Sequence, residues 1–162
     1  MHIRWLIRRD MPEVLEIERA SFEFPWSETD FLRVLRQREC IGMVAQRDDR
    51  VVGFMTYALR PREIHLLNFA IHPKHRRSGV GQALIEKLAA KLTPQRRSTI
   101  RGIVRETNLP ALLYFQSMGF VSSGLIKSAF PDSDEGAVVM QYELWPTADQ
   151  VWEWALENSA RS

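Results

Sequence analysis

The sequence contains one cysteine, no long apolar run and no strong bias of charge. Cys40 is the only cysteine among 162 residues, so no internal disulfide can form and the cytoplasm is the expected compartment. No apolar stretch approaches the roughly 20 residues that a membrane span needs. Residues 1–5 lack the apolar core and the cleavage site of a signal peptide. We therefore expect a cytoplasmic protein with no membrane role.

The balance of charges is close to neutral. The formal net charge is +2 and acidic and basic residues are interspersed, which argues against a dedicated nucleic-acid-binding domain. The basic run at residues 96–101 is short. We interpret it as a solvated loop and strand start, and contact with cofactor phosphates or with a ribosomal partner is left open. Hydrophobic residues make up 45% of the chain, which is typical of one globular domain.

Apolar periodicity predicts the element order β α α β β β α β α β β up to residue 144. Early hairpins and a helix between the later strands indicate a mixed sheet with helices on both faces. Asp10 is expected to cap the first helix, and Ser27 with Asp30 resembles a capping box. Residues 145–162 are expected to form a tail with a short, surface-packed helix, or alternatively a partner-binding helix; its apolar stripe contains Val151, Trp152, Ala155 and Leu156.

A basic pair runs into a Gly-x-Gly turn just before a predicted helix. The turn consists of Arg76, Arg77, Ser78, Gly79, Val80 and Gly81. A helix start offers unpaired N–H groups and a partial positive charge, which suit a pyrophosphate held close to the main chain. The segment fits neither a P-loop nor a dinucleotide fingerprint, because the required Gly-Lys-Ser/Thr and third glycine are missing. The alternative is a helix start with incidental arginines.

Five segments together resemble the GNAT acyltransferase superfamily, and within it the ribosomal-protein-alanine N-acetyltransferases of the RimI type. They are the Arg-x-x-Gly-x-Gly turn at 76–81, Phe24-Pro25-Trp26-Ser27, residues 68–73, Arg105 with Asn108, and residues 117–120. The resemblance covers residues 1–144. It implies a single α/β (mixed α+β) domain over these residues, with a central mixed, mostly antiparallel twisted sheet of about seven strands.

The resemblance also implies acetyl-CoA as co-substrate, no metal, and roles for specific residues. The main chain of a bulged strand would contact the acetyl and pantetheine groups, the turn would hold the pyrophosphate, and an amide would bind the pantetheine arm. These cofactor-binding residues are Phe69, Ala70, Ile71, Arg76, Arg77, Ser78, Gly79, Val80, Gly81, Gln82 and Asn108. The groove for the acceptor would be bordered by Phe24, Pro25, Trp26 and Ser27. Core packing is the alternative for the two rings, and helix capping the alternative for Asn108.

The catalytic positions depart from the family pattern. The family's glutamate base is replaced by Ile103, and its tyrosine acid is replaced by Phe115 with Tyr114 one position away. One residue rotates a side chain by about 100° around a helix, so Tyr114 does not occupy the same place. The candidate catalytic residues are therefore Tyr114 as a displaced acid and Glu106 as a replacement base. Further candidate bases are Glu23, Glu28, His65 and His72.

These features support an acetyl-CoA-dependent N-acetyltransferase acting on a protein or peptide N-terminus, with a ribosomal protein among the candidate acceptors. The reaction is the direct attack of a neutral amine on a thioester. Even without the usual base, main-chain N–H groups can still stabilise the carbonyl oxygen, and the thiol is still a good leaving group. Two alternatives stay open from the sequence. One is a catalytically weakened or non-catalytic acyl-CoA-binding module, because of Ile103 and Phe115. The other is an acetyltransferase for small-molecule amines.

Overall fold

The computed structural model describes residues 1–144 and 148–159. Seven strands form one sheet: β1 His2–Trp5, β2 Cys40–Arg47, β3 Arg50–Leu59, β4 Glu63–Ile71, β5 Thr99–Arg105, β6 Val121–Ile126 and β7 Ala137–Glu143. The α-helices of the described residues are α1 Met11–Ser21, α2 Glu28–Leu35, α3 Val80–Ala89, α4 Leu109–Ser117 and α5 Ala148–Ser159, and short 3-10 helices span Arg8–Asp10 and Pro73–His75. The predicted element order up to residue 144 is confirmed.

The sheet order is β1-β2-β3-β4-β5-β7-β6. Every neighbouring pair is antiparallel except β4 and β5, which pair in parallel. A parallel pair needs a long crossover, and the segment containing α3 provides it. The predicted mixed, mostly antiparallel sheet of seven strands is therefore confirmed, and its single parallel pair lies at the centre.

Helices cover both faces of the sheet, and each face has its own core. On one side, which we call the α1 face, Val14 and Ile17 of α1 and Phe31 of α2 pack on Val44 and Phe54. On the other side, the α3 face, the core contains buried residues of α3 and the sheet, with half-buried residues of α4 packed against it. Its members include Val80, Leu84, Ile85, Leu88, Met55, Tyr57, Ile100, Val104, Phe120 and Met140.

The two caps predicted near the N-terminus have different outcomes. At α2 the capping box is confirmed: Ser27 Oγ accepts from Asp30 N–H at 3.2 Å, and the Asp30 carboxylate accepts from Ser27 N–H at 2.9 Å. At α1 the prediction is wrong, because the Asp10 carboxylate makes no cap bond to the helix. It accepts instead from Arg4 at 2.7 and 2.8 Å and from Ile7 N–H at 2.8 Å, since a guanidinium is the stronger donor.

The C-terminal helix is present as α5. Trp152 is 66% exposed and Leu156 is 54% exposed, whereas Ala155 is half-buried. The surface-packed helix and the partner-binding helix both stay predictions. The side chain of Val151, like residues 145–147 and 160–162, lies outside the described residues. Within the described part of the chain, no helix is long and apolar enough to cross a membrane.

Candidate active site

The two central strands separate part-way along their length. Their parallel pairing runs from Glu63 with Thr99 to Leu66 with Gly102 and ends there. Beyond this point β4 continues to Ile71 and stays paired with β3, while β5 continues to Arg105 and stays paired with β7. The edges that β4 and β5 turn towards each other are therefore unpaired over their last residues. This opening is the centre of the candidate site.

A bulge in β4 determines which side chains face the opening. In the β3 to β4 ladder, Thr56 is opposite Asn68 but Tyr57 is opposite Leu66, so Leu67 is the extra residue. Because side chains alternate along a strand, one extra residue exchanges the two faces. Leu66 before the bulge and Phe69 after it therefore both lie on the α3 face. Asn68 is turned to the α1 face, where it contacts α1.

Helix α3 begins directly beside the opening. Gly79 precedes it with a φ of 82°, a left-handed conformation that favours glycine. The N–H groups of the first turn, Val80 to Gln82, have no carbonyl partner within the helix. A Cβ added to Gly81 would lie 1.5 Å from the Tyr114 hydroxyl oxygen and 3.3 Å from the Phe69 ring. At Gly81 the helix start therefore lies against both β4 and α4.

The two arginines of the turn are placed differently. The Arg76 side chain folds back, and its guanidinium donates to the Ile71 carbonyl at 3.2 Å and to Ser21 Oγ at 3.1 Å. Arg77 is exposed and has a φ of 61°. The Ser78 hydroxyl donates to the His75 carbonyl. Arg76 thus ties the turn to the end of β4 and to α1, and Arg77 adds a second exposed cation beside the helix start.

Helix α4 supplies an aromatic wall on the α3 face. Phe115, at the position expected for the acid, is half-buried between Phe69 and Phe120, with ring centroids 5.6 and 5.2 Å away. Tyr114 lies over Phe69 at 6.2 Å with nearly parallel rings, and burial raises the pKa of its hydroxyl. Asn108 accepts from Ala111 N–H at 3.3 Å and so caps α4. The cap uses the amide oxygen and leaves the NH₂ group for a ligand.

On the α1 face, Arg105 is the centre of a cluster that joins two loops. Its guanidinium donates to both oxygens of Asp132 at 3.0 and 2.7 Å and to Glu135 at 3.1 Å. The same group lies 4.3 Å from the ring centre of Phe24 and 3.8 Å from that of Phe130. The hydrogen bond from Arg105 lowers the pKa of Asp132. We call these five residues the Arg105 cluster; only Arg105 and Phe24 had been singled out from the sequence.

The two aromatic rings of the α1–α2 loop, residues 22–27, have different surroundings. Phe24 is 41% exposed and covers Arg105. Trp26 is half-buried and meets Phe31 edge to face at 5.1 Å. Pro25 and Ser27 are exposed, and Ser27 is committed to the cap of α2. Core packing therefore describes Trp26, whereas Phe24 has the exposure that a groove residue needs.

Ile103 and Glu106 lie near the end of β5. Ile103 is 53% exposed, and because residues two apart share a face of a strand, it lies on the same face as Arg105. Glu106 accepts from Gly136 N–H at 2.9 Å, and its own N–H donates to the Gly136 carbonyl. Glu106 thus connects β5 with the start of β7, a contact that favours a structural role. A role as base stays a prediction.

The other candidate bases are dispersed. His65 lies where β4 and β5 still pair, and it contacts Glu63 at 2.5 Å. His72 follows β4, accepts from Lys74 N–H at 3.1 Å and lies 3.9 Å from Glu16. Glu23 and Glu28 are exposed on either side of Phe24 and Trp26. Within residues 1–144 and 148–159, no group of three or more His, Cys, Asp or Glu side chains could hold a metal ion.

The buried carboxylate of Glu18 on α1 was not predicted from the sequence. Glu18 is 1% exposed; one of its oxygens accepts from Trp26 N–H at 2.8 Å and the other from the Asn68 amide at 2.8 Å. Burial raises the pKa of Glu18 more than these two hydrogen bonds lower it. The available signal was its spacing, because Glu18 follows Val14 by four residues and so shares the buried stripe of α1.

Comparison with known proteins identifies the family. The model of the acetyltransferase (GNAT) family matches residues 11–120, which is more than half of the chain. The chain belongs to the GNAT acetyltransferase family. This GNAT protein is an N-acetyltransferase, as are the curated relatives below. The matched range contains α1, the bulged strand, the Gly-x-Gly turn and the separation of β4 from β5.

Two curated relatives and two solved structures show the extent of the similarity. The ribosomal protein bS18-alanine N-acetyltransferase of Escherichia coli is 29% identical over 81% of this chain and 89% of its own. A putative enzyme of the same name from Bacillus subtilis is 26% identical over 91% and 96%. The crystal structure of the E. coli enzyme covers 91% of this chain and 96% of its own, with TM-score 0.77 and 26% identity. Ard1 from Thermoplasma volcanium covers 90% and 98%, with TM-score 0.79 and 26% identity.

Proposed function

We propose that this enzyme transfers an acetyl group from acetyl-CoA to the α-amine at the N-terminus of a protein. The observation that carries the proposal is the opening between β4 and β5, with the start of α3 beside it and the Arg105 cluster on the α1 face. The E. coli relative, whose name gives a ribosomal-protein alanine as its acceptor, supports this choice of acceptor.

The residues beside the opening fit a CoA thioester. The N–H groups of Val80 to Gln82 would hold its pyrophosphate, because the space around Gly79 is open and leaves room for close approach. Arg77 would add charge from the exposed side. The main chain of Phe69 to Ile71, where β4 no longer pairs with β5, and the NH₂ group of Asn108 would hold the pantetheine arm. When bound, acetyl-CoA would supply an acetyl group activated as a thioester.

The absence of a carboxylate at position 103 favours an α-amine over a lysine as acceptor. An α-amine of pKa about 8 is roughly one-tenth neutral at pH 7, whereas a lysine of pKa about 10.4 is neutral less than about 0.1% of the time. Without a base next to the attacking nitrogen, the neutral fraction limits the rate. The rate ratio from this cause alone is on the order of 10² in favour of the α-amine.

The direct test mixes the protein with acetyl-CoA and a panel of acceptors. The panel contains a peptide with a free N-terminal alanine, the same peptide with a blocked N-terminus and an internal lysine, and several small amines. We expect release of free CoA and one acetyl group on the α-amine, measured by thiol assay and mass spectrometry. Acetylation of the small amines alone would replace the proposed acceptor. No release with any member of the panel would refute the proposal.

A further inference from the structure

The Glu18 carboxylate lies between two parts of the site that are far apart in the chain. One oxygen accepts from Trp26 N–H, in the α1–α2 loop, and the other accepts from the side chain of Asn68, in β4. Asn68 in turn accepts, through its own amide oxygen, from Phe69 N–H at 2.9 Å. These bonds make a continuous path from the acceptor side of the site to the strand beside the opening.

The geometry requires a carboxylate at this position. Two donors, Trp26 N–H and the Asn68 NH₂ group, point at residue 18 from different elements. A carboxylate offers an acceptor oxygen to each of them, whereas a carboxamide offers one oxygen and would direct its own NH₂ group at the second donor. The buried charge is costly to desolvate, so a purely structural packing position would be better filled by an apolar side chain.

The bulge at Leu67 makes this path possible. If β4 alternated regularly through Leu67, with no bulge, Asn68 would lie on the α3 face with Leu66, away from α1. With the bulge, the Asn68 amide reaches Glu18 while Phe69 keeps its ring on the α3 face against Tyr114 and Phe115. The bulge and the carboxylate therefore depend on each other.

We propose that Glu18 is a positioning residue that fixes the α1–α2 loop relative to the bulged end of β4, so that the acceptor and the acyl group meet at one distance. The proposal rests on the acetyl transfer proposed above. Glu18 itself does not contact either substrate, since it is buried beneath the loop. It acts through Trp26 on the acceptor side and through Asn68 on the side of β4.

Swapping the carboxylate and the carboxamide between residues 18 and 68 tests whether the Glu18 to Asn68 hydrogen bond positions the site. Glu18→Gln leaves two NH donors facing each other, and we expect acceptor kcat/KM to fall on the order of tenfold or more. The affinity for acetyl-CoA, measured by calorimetry, should change less than about threefold, because the start of α3 is not altered. In the double variant Glu18→Gln, Asn68→Asp, the new NH₂ group donates to the new carboxylate and every donor regains an acceptor. We expect recovery to within about threefold of wild type.

Glu16→Gln is the matched control, since Glu16 lies on the same helix with a largely exposed side chain; its kinetics should equal those of wild type. Amide hydrogen exchange at Trp26, followed by NMR, gives a readout without turnover. It should accelerate in Glu18→Gln and slow again in the double variant. If Glu18→Gln does not fold, Asn68→Ala replaces it; this variant keeps the hydrogen bond from Trp26 N–H to Glu18 and should lower acceptor kcat/KM.

The outcomes separate this inference from the proposed function. Wild-type kinetics in a folded Glu18→Gln variant, or no recovery in a folded double variant, would overturn the positioning role. A wild-type protein that acetylates no acceptor would refute the proposed function instead. In that case the amide hydrogen exchange rates test the positioning role. Equal rates at Trp26 N–H in Glu18→Gln and in the double variant would overturn that role.

Discussion

The half of the site on the α3 face is made of main-chain groups, whereas the half on the α1 face is made of side chains. On the α3 face the start of α3 presents main-chain N–H groups beside Gly79 and Gly81, within one short segment. On the α1 face the Arg105 cluster joins side chains from the α1–α2 loop, β5 and the connection between β6 and β7. A main-chain site depends on local conformation, whereas a side-chain site depends on contacts between distant segments. The two halves should therefore respond differently to substitution.

The largest effect is expected on the α1 face, from Ile103→Glu. Ile103 is more than half exposed on the face that carries Arg105, so a carboxylate is tolerated there and can accept the proton of the attacking amine. General base catalysis is typically worth about 10²- to 10⁴-fold, and we expect kcat to rise within that range in a CoA-release assay. Adding Phe115→Tyr tests the acid position as well.

Ile126→Glu is the control for Ile103→Glu, because it adds the same charge at an exposed position of β6; it should not change kcat. If Ile103→Glu gives no increase in kcat, or lowers it, the native site already contains a base elsewhere. The comparison of the two faces would then have to include the residue that acts as this base.

Loss of the guanidinium in Arg105→Ala should lower acceptor kcat/KM on the order of 10²-fold, because misplacement of a positioning group by about 1 Å has that effect. The variant leaves Asp132 and Glu135 without their cation and Phe24 without its support. Steady-state kinetics with the alanyl peptide provide the measurement. Arg101→Ala, four residues earlier on β5 and exposed, serves as control. An equal loss in both variants would show that the cluster has no specific role.

Gly81→Val should affect the α3 face alone. The new side chain would overlap the Tyr114 hydroxyl, so Tyr114 or the first turn of α3 would have to move. We expect the acetyl-CoA dissociation constant to rise about tenfold, equivalent to about 1.4 kcal/mol, as measured by calorimetry. Gly124→Val, at a glycine with open space around it, is the comparison. Unchanged acetyl-CoA binding in Gly81→Val would contradict a main-chain site at α3.

The smallest effect on catalysis is expected from Asp10→Asn, which lies at the start of α1. Burial disfavours the Asp10 carboxylate most, but the hydrogen bonds from Arg4 and Ile7 N–H outweigh it and lower the pKa. A lowered native pKa contributes stability that is present above the unfolded value of about 3.9 and is lost as pH falls through the native value. We therefore expect wild type to melt higher than the variant at pH 7, with a difference that shrinks below about pH 4.

Asp48→Asn, in the exposed β2 to β3 turn, is the matched control for Asp10→Asn in thermal melts across pH. A difference between Asp10→Asn and wild type that stays constant down to strongly acidic pH would contradict the role of the Arg4 to Asp10 pair. Kinetic constants at pH 7 should agree within about twofold, because neither face of the site is altered.

The same difference between the faces explains what the sequence could predict. The Gly-x-Gly turn, the element order and the Ser27 capping box depend on neighbouring residues, and a local pattern reports them. The predicted early hairpin of β2 and β3 turns at Asp48 and Asp49, which both have positive φ. The partners of Arg105 lie 25 or more positions away from it, and no spacing rule connects them.

Glu18 shows a different limit. Its helical spacing placed it on the buried stripe of α1, but a carboxylate there is understood only when the bulge has turned Asn68 towards it. The adjacent apolar residues Leu66 and Leu67, followed by polar Asn68, were the visible sign that the alternation changes. Asp10 shows the same limit. Its position before α1 predicts a cap, but Arg4 competes for the carboxylate only because β1 approaches the start of α1, and the local sequence does not report that contact.

The bulge determines which sequence changes β4 can accept. Leu67 contributes an exposed side chain, so many residue types would serve at this position. Its deletion would keep the two faces as well, because Asn68 would then follow Leu66 directly, and regular alternation would leave Asn68 on the α1 face and Phe69 on the α3 face. Straightening the strand with all its residues in place would be different, since Asn68 to Ile71 would then change faces. Position 67 therefore tolerates both substitution and deletion, whereas the bulge around it cannot be flattened while the residue is present.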